Sequence, residues 1–127
     1  MHIDHVAIWT NDLDKEKEFY LKYFDCCVNG KYTNQTKQFS SYFISFSEGA
    51  RIELMKKDGT NPAPEGNFEG LTHLAIDLGT REQVDLLTRQ LEGDGIIIAG
   101  RPRITGDGYY ESIILDPEGN RIELISK

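Results

Sequence analysis

The chain has 127 residues, of which 39% are hydrophobic and 28% are charged, as expected for one globular domain with an ordinary core. Its formal net charge of −7 argues against nucleic acid and anionic membrane surfaces as partners, because both repel an acidic protein. Polar residues near the N-terminus and the lack of a long apolar run predict a cytoplasmic protein with no signal peptide and no membrane span.

The first half of the chain is predicted to form a strand, a helix and three further strands. Residues 3–9 are rich in the side chains that favour strands. Asn11 and Asp12 are candidate N-caps of a helix that ends near Phe24 and carries apolar side chains at helical spacing. The three short strands are predicted near residues 26–32, 39–46 and 50–56.

The second half is predicted to repeat this order after a linker rich in glycine and proline over residues 57–70. A strand over 71–78 precedes a helix that begins at Thr80, with Gln83 completing a capping box. The buried stripe of this helix is predicted to contain Val84, Leu87 and Leu91. Strands follow at about 96–99, 109–115 and 121–126, with a turn-rich loop over 100–108. The chain is therefore predicted to be one domain of two repeats, about 1–56 and 71–127, each with the order βαβββ.

Two short motifs occur once in each half. The heptapeptide Glu48–Leu54 returns as Glu118–Leu124 with a single substitution, and the segment His5–Ile8 returns as His73–Ile76 with another. Such matched motifs indicate an internal duplication. Each repeat therefore contributes one histidine near its start and one glutamate near its end.

The alternation of side chains along strands predicts where these residues point. Glu53 lies between Ile52 and Leu54, so it faces away from the helix if the two apolar residues cover it. The same argument applies to Glu123 in the second repeat and to both histidines. We expect a concave cavity lined by His5, Glu53, His73 and Glu123.

Two imidazoles and two carboxylates form a ligand set suited to one divalent transition-metal ion, such as Zn²⁺, Ni²⁺, Co²⁺, Mn²⁺ or Fe²⁺. An ion with octahedral preference would keep coordination positions for water or substrate. A carboxylate beside such an ion can act as a general base. The repeated Arg51 and Arg121 are expected to pair with carboxylates or with a neighbouring subunit.

The ordered motifs HVAIWTNDLDKEKEFY, RIEL, THLAIDL and LDPEGNRIELI resemble those of the vicinal oxygen chelate superfamily, which includes glyoxalase I, bleomycin-resistance proteins and extradiol dioxygenases. The resemblance covers the whole chain and implies an α+β fold, in which two βαβββ modules form a curved mixed sheet around a half-barrel cavity. The ligand order His, Glu, His, Glu is similar to that of bacterial-type glyoxalase I. It implies a homodimer whose metal ligands are His5, Glu53, His73 and Glu123, with nickel or zinc favoured over cobalt, manganese and iron.

The implied activity is that of a metal-dependent lyase of the lactoylglutathione lyase type, which isomerises a hemithioacetal through proton abstraction and a metal-stabilised enediolate. Glu123 matches the catalytic base, and Glu53 could share proton transfer. The chain departs from the glyoxalase I pattern at Trp9, where an arginine that holds glutathione is typical, and at Lys57, where an asparagine is typical. The substrate is therefore a small molecule, either a thiol conjugate or another vicinal-oxygen compound. Its predicted contacts are Trp9 and three residues in or beside the loop over the cavity, Arg101, Arg103 and Tyr110.

Two alternatives remain open at this stage. One is another metal-dependent enzyme of the superfamily: an epimerase, a thiol transferase or a ring-cleaving dioxygenase. By resemblance, the last two usually use two histidines and one glutamate. The other is a non-enzymatic protein that sequesters a drug or metabolite, a class whose members generally lack the metal ligands.

Overall fold

A computed structural model describes residues 1–62, 66 and 69–127. The chain divides into two compact units, Met1–Gly66 and Asn67–Lys127, which we call unit 1 and unit 2. Each unit has its own sheet and its own helix. Of the predicted linker over 57–70, residues 63–65 and 67–68 lie outside the described residues, and Lys57 belongs to a strand.

Unit 1 contains a mixed sheet in the order β1-β5-β4-β2, with β3 also paired to β4. Strand β1 runs parallel to β5, and the other pairs are antiparallel. Its elements are β1 (His5–Trp9), α1 (Leu13–Tyr23), β2 (Cys27–Val28), β3 (Tyr32–Asn34), β4 (Phe39–Ser45) and β5 (Arg51–Lys57).

The single strand predicted over 26–32 is wrong, because the structure has two short strands, β2 and β3, in this region. Between them, the side chain of Asn29 accepts a hydrogen bond from the backbone N–H of Phe43 at 2.7 Å. The backbone N–H of Asn29 still donates to the carbonyl of Phe43 at 3.3 Å, so the side chain takes the place of one of the two backbone hydrogen bonds of a regular pair.

Unit 2 contains a four-stranded mixed sheet in the order β6-β9-β8-β7, in which β6 runs parallel to β9. Its elements are β6 (Leu74–Asp77), α2 (Arg81–Gly93), β7 (Ile98–Ile104), β8 (Tyr110–Leu115) and β9 (Arg121–Ser126). In each unit, therefore, the first strand runs parallel to the last strand. The α+β fold class with mixed sheets is as predicted.

The predicted loop over 100–108 is wrong in its first half, because β7 continues to Ile104. Strand β7 lies at the edge of the sheet. Pro102 has no backbone N–H, and on the solvent side of an edge strand this loses no hydrogen bond to another strand. The pairing of β7 with β8 shifts register twice, between Ile98 and Gly100 and between Gly100 and Arg103. Such bulges disturb the alternation that a sequence-based prediction relies on.

Each helix covers one face of its own sheet. Helix α1 buries Leu13, Phe19 and Tyr20 in unit 1, together with residues of β4 and β5, which are Tyr42, Ile44, Ile52 and Leu54. Helix α2 buries Val84, Thr88 and Leu91, together with Ile114, Ile122 and Leu124. Leu87, predicted to be buried, is only half-buried, because the i, i+4, i+7 row passes through Thr88 instead.

Both helices begin where the sequence predicts. The side chain of Asp12 accepts a hydrogen bond from the backbone N–H of Lys15 at 3.1 Å. Thr80 and Gln83 form the predicted reciprocal capping box at the start of α2. No helix in the described part of the chain has the length and apolar character needed to cross a bilayer.

Candidate metal centre

The two repeated glutamates lie on the sheet face opposite the helix. Ile52 and Leu54 are buried against α1, while the side chain of Glu53 between them is 16% exposed. Ile122 and Leu124 are buried in the same way against α2, and the side chain of Glu123 is 18% exposed. In each unit we call this side of the sheet the His–Glu face. The predicted strand alternation is therefore confirmed.

In unit 1 the ring of His5 is held between two carboxylates. Its Nε2 lies 3.7 Å from Oε2 of Glu53, and its Nδ1 lies 2.8 Å from Oδ2 of Asp4. Arg51 donates a hydrogen bond to the same Asp4 oxygen at 2.5 Å. This arginine therefore pairs with a carboxylate, as expected. The hydrogen bond with His5 and then that with Arg51 lower the pKa of Asp4. The His5 ring also packs edge-on against Phe43, with 5.4 Å between centroids.

Unit 2 repeats the pair with a different support. Nε2 of His73 lies 3.3 Å from Oε2 of Glu123, and Nδ1 of His73 lies 3.0 Å from the hydroxyl of Thr72. His73 precedes β6, which starts at Leu74 rather than at residue 71 as predicted. In both units, therefore, Nδ1 contacts the residue immediately before the histidine, and Nε2 faces the glutamate.

This donor set fits a divalent transition metal. Two donor atoms that each lie about 2.1 Å from one ion are separated by about 3.0–3.4 Å, close to the two Nε2–Oε2 distances. A hydrogen-bonded Nδ1 fixes ring orientation and leaves Nε2 for the metal, as in many histidine-ligated sites. Each unit offers two such candidate donors. Among the described residues, no three His, Cys, Asp or Glu side chains lie close enough together to hold an ion.

Of the predicted substrate contacts, Trp9 lies on the His–Glu face of unit 1. It follows His5 and Ala7 along β1 at alternate positions, and it is 49% exposed. Its indole packs edge-on against Phe39 with 6.3 Å between centroids. Trp9 and Phe39 thus offer an exposed aromatic surface on the same face as the His5–Glu53 pair.

Arg101 and Tyr110 lie on the helix side of unit 2, so the expectation that they reach over the cavity from a loop is corrected. Arg101 makes two hydrogen bonds to the carboxylate of Glu92 in α2, at 2.8 and 2.5 Å. The hydroxyl of Tyr110 donates to Asp85 in α2 at 2.7 Å, and Arg81 lies over its ring. Both residues are in strands, and their contacts favour a structural role within unit 2.

Arg103 lies in β7 and on the His–Glu face, where it pairs with a residue that the sequence analysis did not single out. Nη2 of Arg103 lies 3.0 Å from Oε1 of Glu111, which is only 7% exposed. Burial, followed by the negative charge of Glu123, raises the pKa of Glu111, and the charge of Arg103 opposes this. The sequence signal that could have identified Glu111 was a carboxylate within the largely apolar sequence of β8. Likewise, a polar residue directly before each repeated histidine was the signal for Asp4 and Thr72.

Residues 2–124 match the family model of the Glyoxalase/Bleomycin resistance protein/Dioxygenase superfamily. The chain belongs to this superfamily. This membership agrees with the duplicated fold and with the paired His and Glu side chains, and it confirms the resemblance inferred from the sequence.

Similarity to individual proteins is modest in sequence and high in fold. The chain is 26% identical to a catechol-2,3-dioxygenase of Bacillus subtilis over 125 residues, which are 97% of this chain and 40% of that protein. It resembles the crystal structure of glyoxalase I from Zea mays with a TM-score of 0.81 at 22% identity, covering 99% of this chain and 44% of that one. It also resembles a glyoxylase/bleomycin resistance protein/dioxygenase domain from Frankia with a TM-score of 0.83 at 18% identity, covering 99% and 97%. The chain thus spans less than half the length of the first two proteins.

Proposed function

We propose that the protein is a metal-dependent lyase of glyoxalase I type that isomerises a hemithioacetal or a related vicinal-oxygen substrate. The observation that carries this proposal is the pair of matched His–Glu contacts, with Nε2–Oε2 distances of 3.7 and 3.3 Å at equivalent positions of a duplicated unit. A sequestering protein has no need for two such pairs, so we favour an enzyme over a binding protein.

We propose that the two pairs complete one four-ligand site when two subunits form a homodimer. Each pair alone supplies only two ligands, and a site with two protein ligands rarely binds a transition metal tightly. In a symmetric dimer, unit 1 of one subunit and unit 2 of the other would contribute one pair each, and two equivalent sites would result.

The ligands would be His5, Glu53, His73 and Glu123, with Ni²⁺ or Zn²⁺ as the expected ions and Co²⁺, Mn²⁺ or Fe²⁺ as alternatives. A bound divalent ion would supply the positive charge that stabilises an oxygen atom as it becomes negative during the reaction. Glu123 removes the proton from the substrate carbon that carries the sulfur, and the proton returns to the neighbouring carbon. Glu53 is the second candidate for these transfers.

The surroundings of the two glutamates suit proton transfer. Each carboxylate is largely buried, with 16% and 18% of the side chain exposed, so bulk water has limited access to it. The side chains of Asp4 and Thr72 hold the two imidazole rings in place and keep each Nε2 directed at its glutamate. Trp9 and Phe39 would contact an apolar part of the substrate.

A second candidate is a ring-cleaving dioxygenase that acts on an aromatic vicinal diol. The similarity to a catechol-2,3-dioxygenase and the exposed surface of Trp9 and Phe39 favour it. An assay of oxygen uptake with catechol and Fe²⁺ distinguishes the two activities, because the isomerisation consumes no oxygen.

The first test of the proposal is metal binding and turnover by the purified protein. We expect about one divalent ion per subunit, and isomerisation of methylglyoxal hemithioacetals formed with glutathione or other small thiols when Ni²⁺ or Zn²⁺ is added. Glu123→Gln should lower kcat by at least about 100-fold, the usual contribution of a general base. Glu48→Gln removes an exposed carboxylate from the same repeated motif and serves as the control, with activity unchanged. Failure to bind any divalent ion at micromolar concentration would contradict the proposal.

A further inference from the structure

We propose that Arg103 binds a carboxylate at the far end of the substrate, and that Glu111 and Gly100 position its guanidinium group for this contact. The substrate class is then a vicinal-oxygen chelator with a carboxylate at a fixed distance from the metal-binding oxygens. This inference rests on the proposed function, because it assumes that the other end of the substrate lies at Glu123.

The register of the sheet places Gly100 of β7 on the same row of side chains as Glu123, and Arg103 on the neighbouring row with Glu111. Glu123 pairs with Ile113, and Ile113 pairs with Gly100, so these three residues form one row across β9, β8 and β7. Neighbouring strands lie about 4.8 Å apart, which puts Gly100 about 10 Å from Glu123 along this row. Gly100 has no side chain, and the space above it is available to another group.

The guanidinium of Arg103 occupies this space. Its Nη1 lies 3.2 Å from the position that a Cβ at Gly100 would take, and Ile113 lies equally close on the other side. A Cβ at Gly100 would therefore require the guanidinium or Ile113 to shift by a few tenths of an ångström. Arg103 thus extends back along β7 toward the row of Glu123.

Glu111 fixes the guanidinium in this place. Its carboxylate lies 3.0 Å from Nη2 of Arg103 and is almost fully buried, so the pair is more rigid than a surface ion pair. The planar guanidinium has five N–H donors and two edges that match carboxylates, so it can hold Glu111 with one edge and a ligand with another. About half of the Arg103 side chain, 51%, remains exposed for such a ligand.

Arg101 provides an internal contrast two residues away on the same strand. Both nitrogen atoms of its fork bind the carboxylate of Glu92, and the pair lies on the helix side of the sheet. Replacement of either arginine by glutamine changes the net charge of the protein by the same amount. Only the arginine on the His–Glu face should affect the binding of a ligand that reaches the metal site.

The test compares two chelating probes that differ in one group. One is a hydroxamate with a terminal carboxylate on a methylene chain of varied length, and the other is the same molecule with a terminal primary amide. Their dissociation constants are measured by calorimetry on the Ni²⁺-loaded protein. At the best chain length we expect the carboxylate probe to bind at least about tenfold more tightly, the effect of one charge-assisted hydrogen-bonded contact.

Arg103→Gln should abolish this preference and leave the affinity for the amide probe unchanged, while Arg101→Gln should keep the preference. Gly100→Ala should reduce it, and Arg103→Lys should restore only part of it, because an ammonium group lacks the planar fork. Circular dichroism and metal content confirm that each variant is folded.

Three outcomes overturn the inference. The first is equal affinity of the wild-type protein for both probes at every chain length, and the second is an equal effect of the two arginine variants. In both cases the metal-binding proposal stands, because the hydroxamate still binds. The third is that neither probe binds the Ni²⁺-loaded protein, which would overturn the proposed function as well.

Discussion

Units 1 and 2 carry the same His–Glu pair but hold it in different ways. In unit 1, Nδ1 of His5 contacts the carboxylate of Asp4, which Arg51 holds in turn. In unit 2, Nδ1 of His73 lies 3.0 Å from the neutral hydroxyl of Thr72. A carboxylate makes an imidazole a stronger metal ligand than a hydroxyl does. The duplication has therefore kept the His–Glu pair and changed the groups that support it.

The two His–Glu faces also differ one row away from the ligands. Unit 1 carries the aromatic contact of Trp9 with Phe39, and unit 2 carries the ion pair of Arg103 with the buried Glu111. An aromatic surface suits an apolar part of a ligand, and an ion pair with an exposed guanidinium suits an anionic part. Under the proposed function, the repeated residues would bind the metal, and the residues that differ between the units would select the substrate.

The largest effect that this comparison predicts concerns the combination of the two units in a dimer. Glu53→Gln and Glu123→Gln homodimers should each lose metal-dependent activity, because every site lacks one ligand. When equal amounts of the two variants are mixed, unfolded and refolded together, half of the dimers are mixed, and each mixed dimer regains one intact site. We expect about a quarter of the wild-type activity and tightly bound metal, as the symmetry of the dimer requires.

The control for this experiment is a mixture of each variant with the Glu48→Gln protein. There, every mixed dimer also has one intact site, and the Glu48→Gln homodimers keep two. If refolded mixtures of Glu53→Gln and Glu123→Gln stay inactive while the control mixtures are active, the site does not combine units from two subunits.

Much of the fold and the sheet face of the repeated His and Glu residues could be predicted from the sequence, because both depend on local patterns. Alternation around Glu53 and Glu123 fixed which face these residues occupy, and the caps at Asp12 and Thr80 follow from residue type and spacing. The four ligand candidates needed only the internal repeat in addition. Their joint action in one site remains a prediction.

The remaining features depend on geometry that periodicity does not encode. The bulges in β7 send Arg101 to the helix side and Arg103 to the opposite face, although a regular strand would place both on one face. The contacts of Asp4 and Thr72 with the histidine rings depend on side-chain rotamers. Glu111 is buried beside Arg103 of the neighbouring strand, which compensates its charge.

A smaller effect is predicted for the groups that support the two histidines. Asp4→Asn should weaken metal binding by about tenfold, the lower end of the range for such supporting groups, since Asp4 is itself exposed. Thr72→Val should weaken it less, because a hydroxyl polarises the ring less than a carboxylate does. Competition with a chromophoric chelator measures both affinities.

Arg51→Gln extends this test, because Arg51 contacts Asp4 and not the ligands. We expect an affinity between those of the wild-type protein and the Asp4→Asn variant. An effect of Thr72→Val equal to or larger than that of Asp4→Asn would show that the two units support their histidines equally, contrary to the comparison.

The smallest predicted effect concerns the N-terminal caps of the two helices, which differ in their hydrogen bonds. Thr80→Ala removes both the hydroxyl that accepts from the backbone of Gln83 and the reciprocal box, whereas Asp12→Ala removes the carboxylate that accepts from the backbone N–H of Lys15. We expect each change to lower the free energy of unfolding by about 1 kcal/mol, with Thr80→Ala the larger of the two. Urea unfolding of the metal-free protein measures the change, and Thr36→Ala, at an exposed threonine outside both helices, is the control. A larger loss for Asp12→Ala would mean that the reciprocal contact of Gln83 adds nothing to the cap of α2.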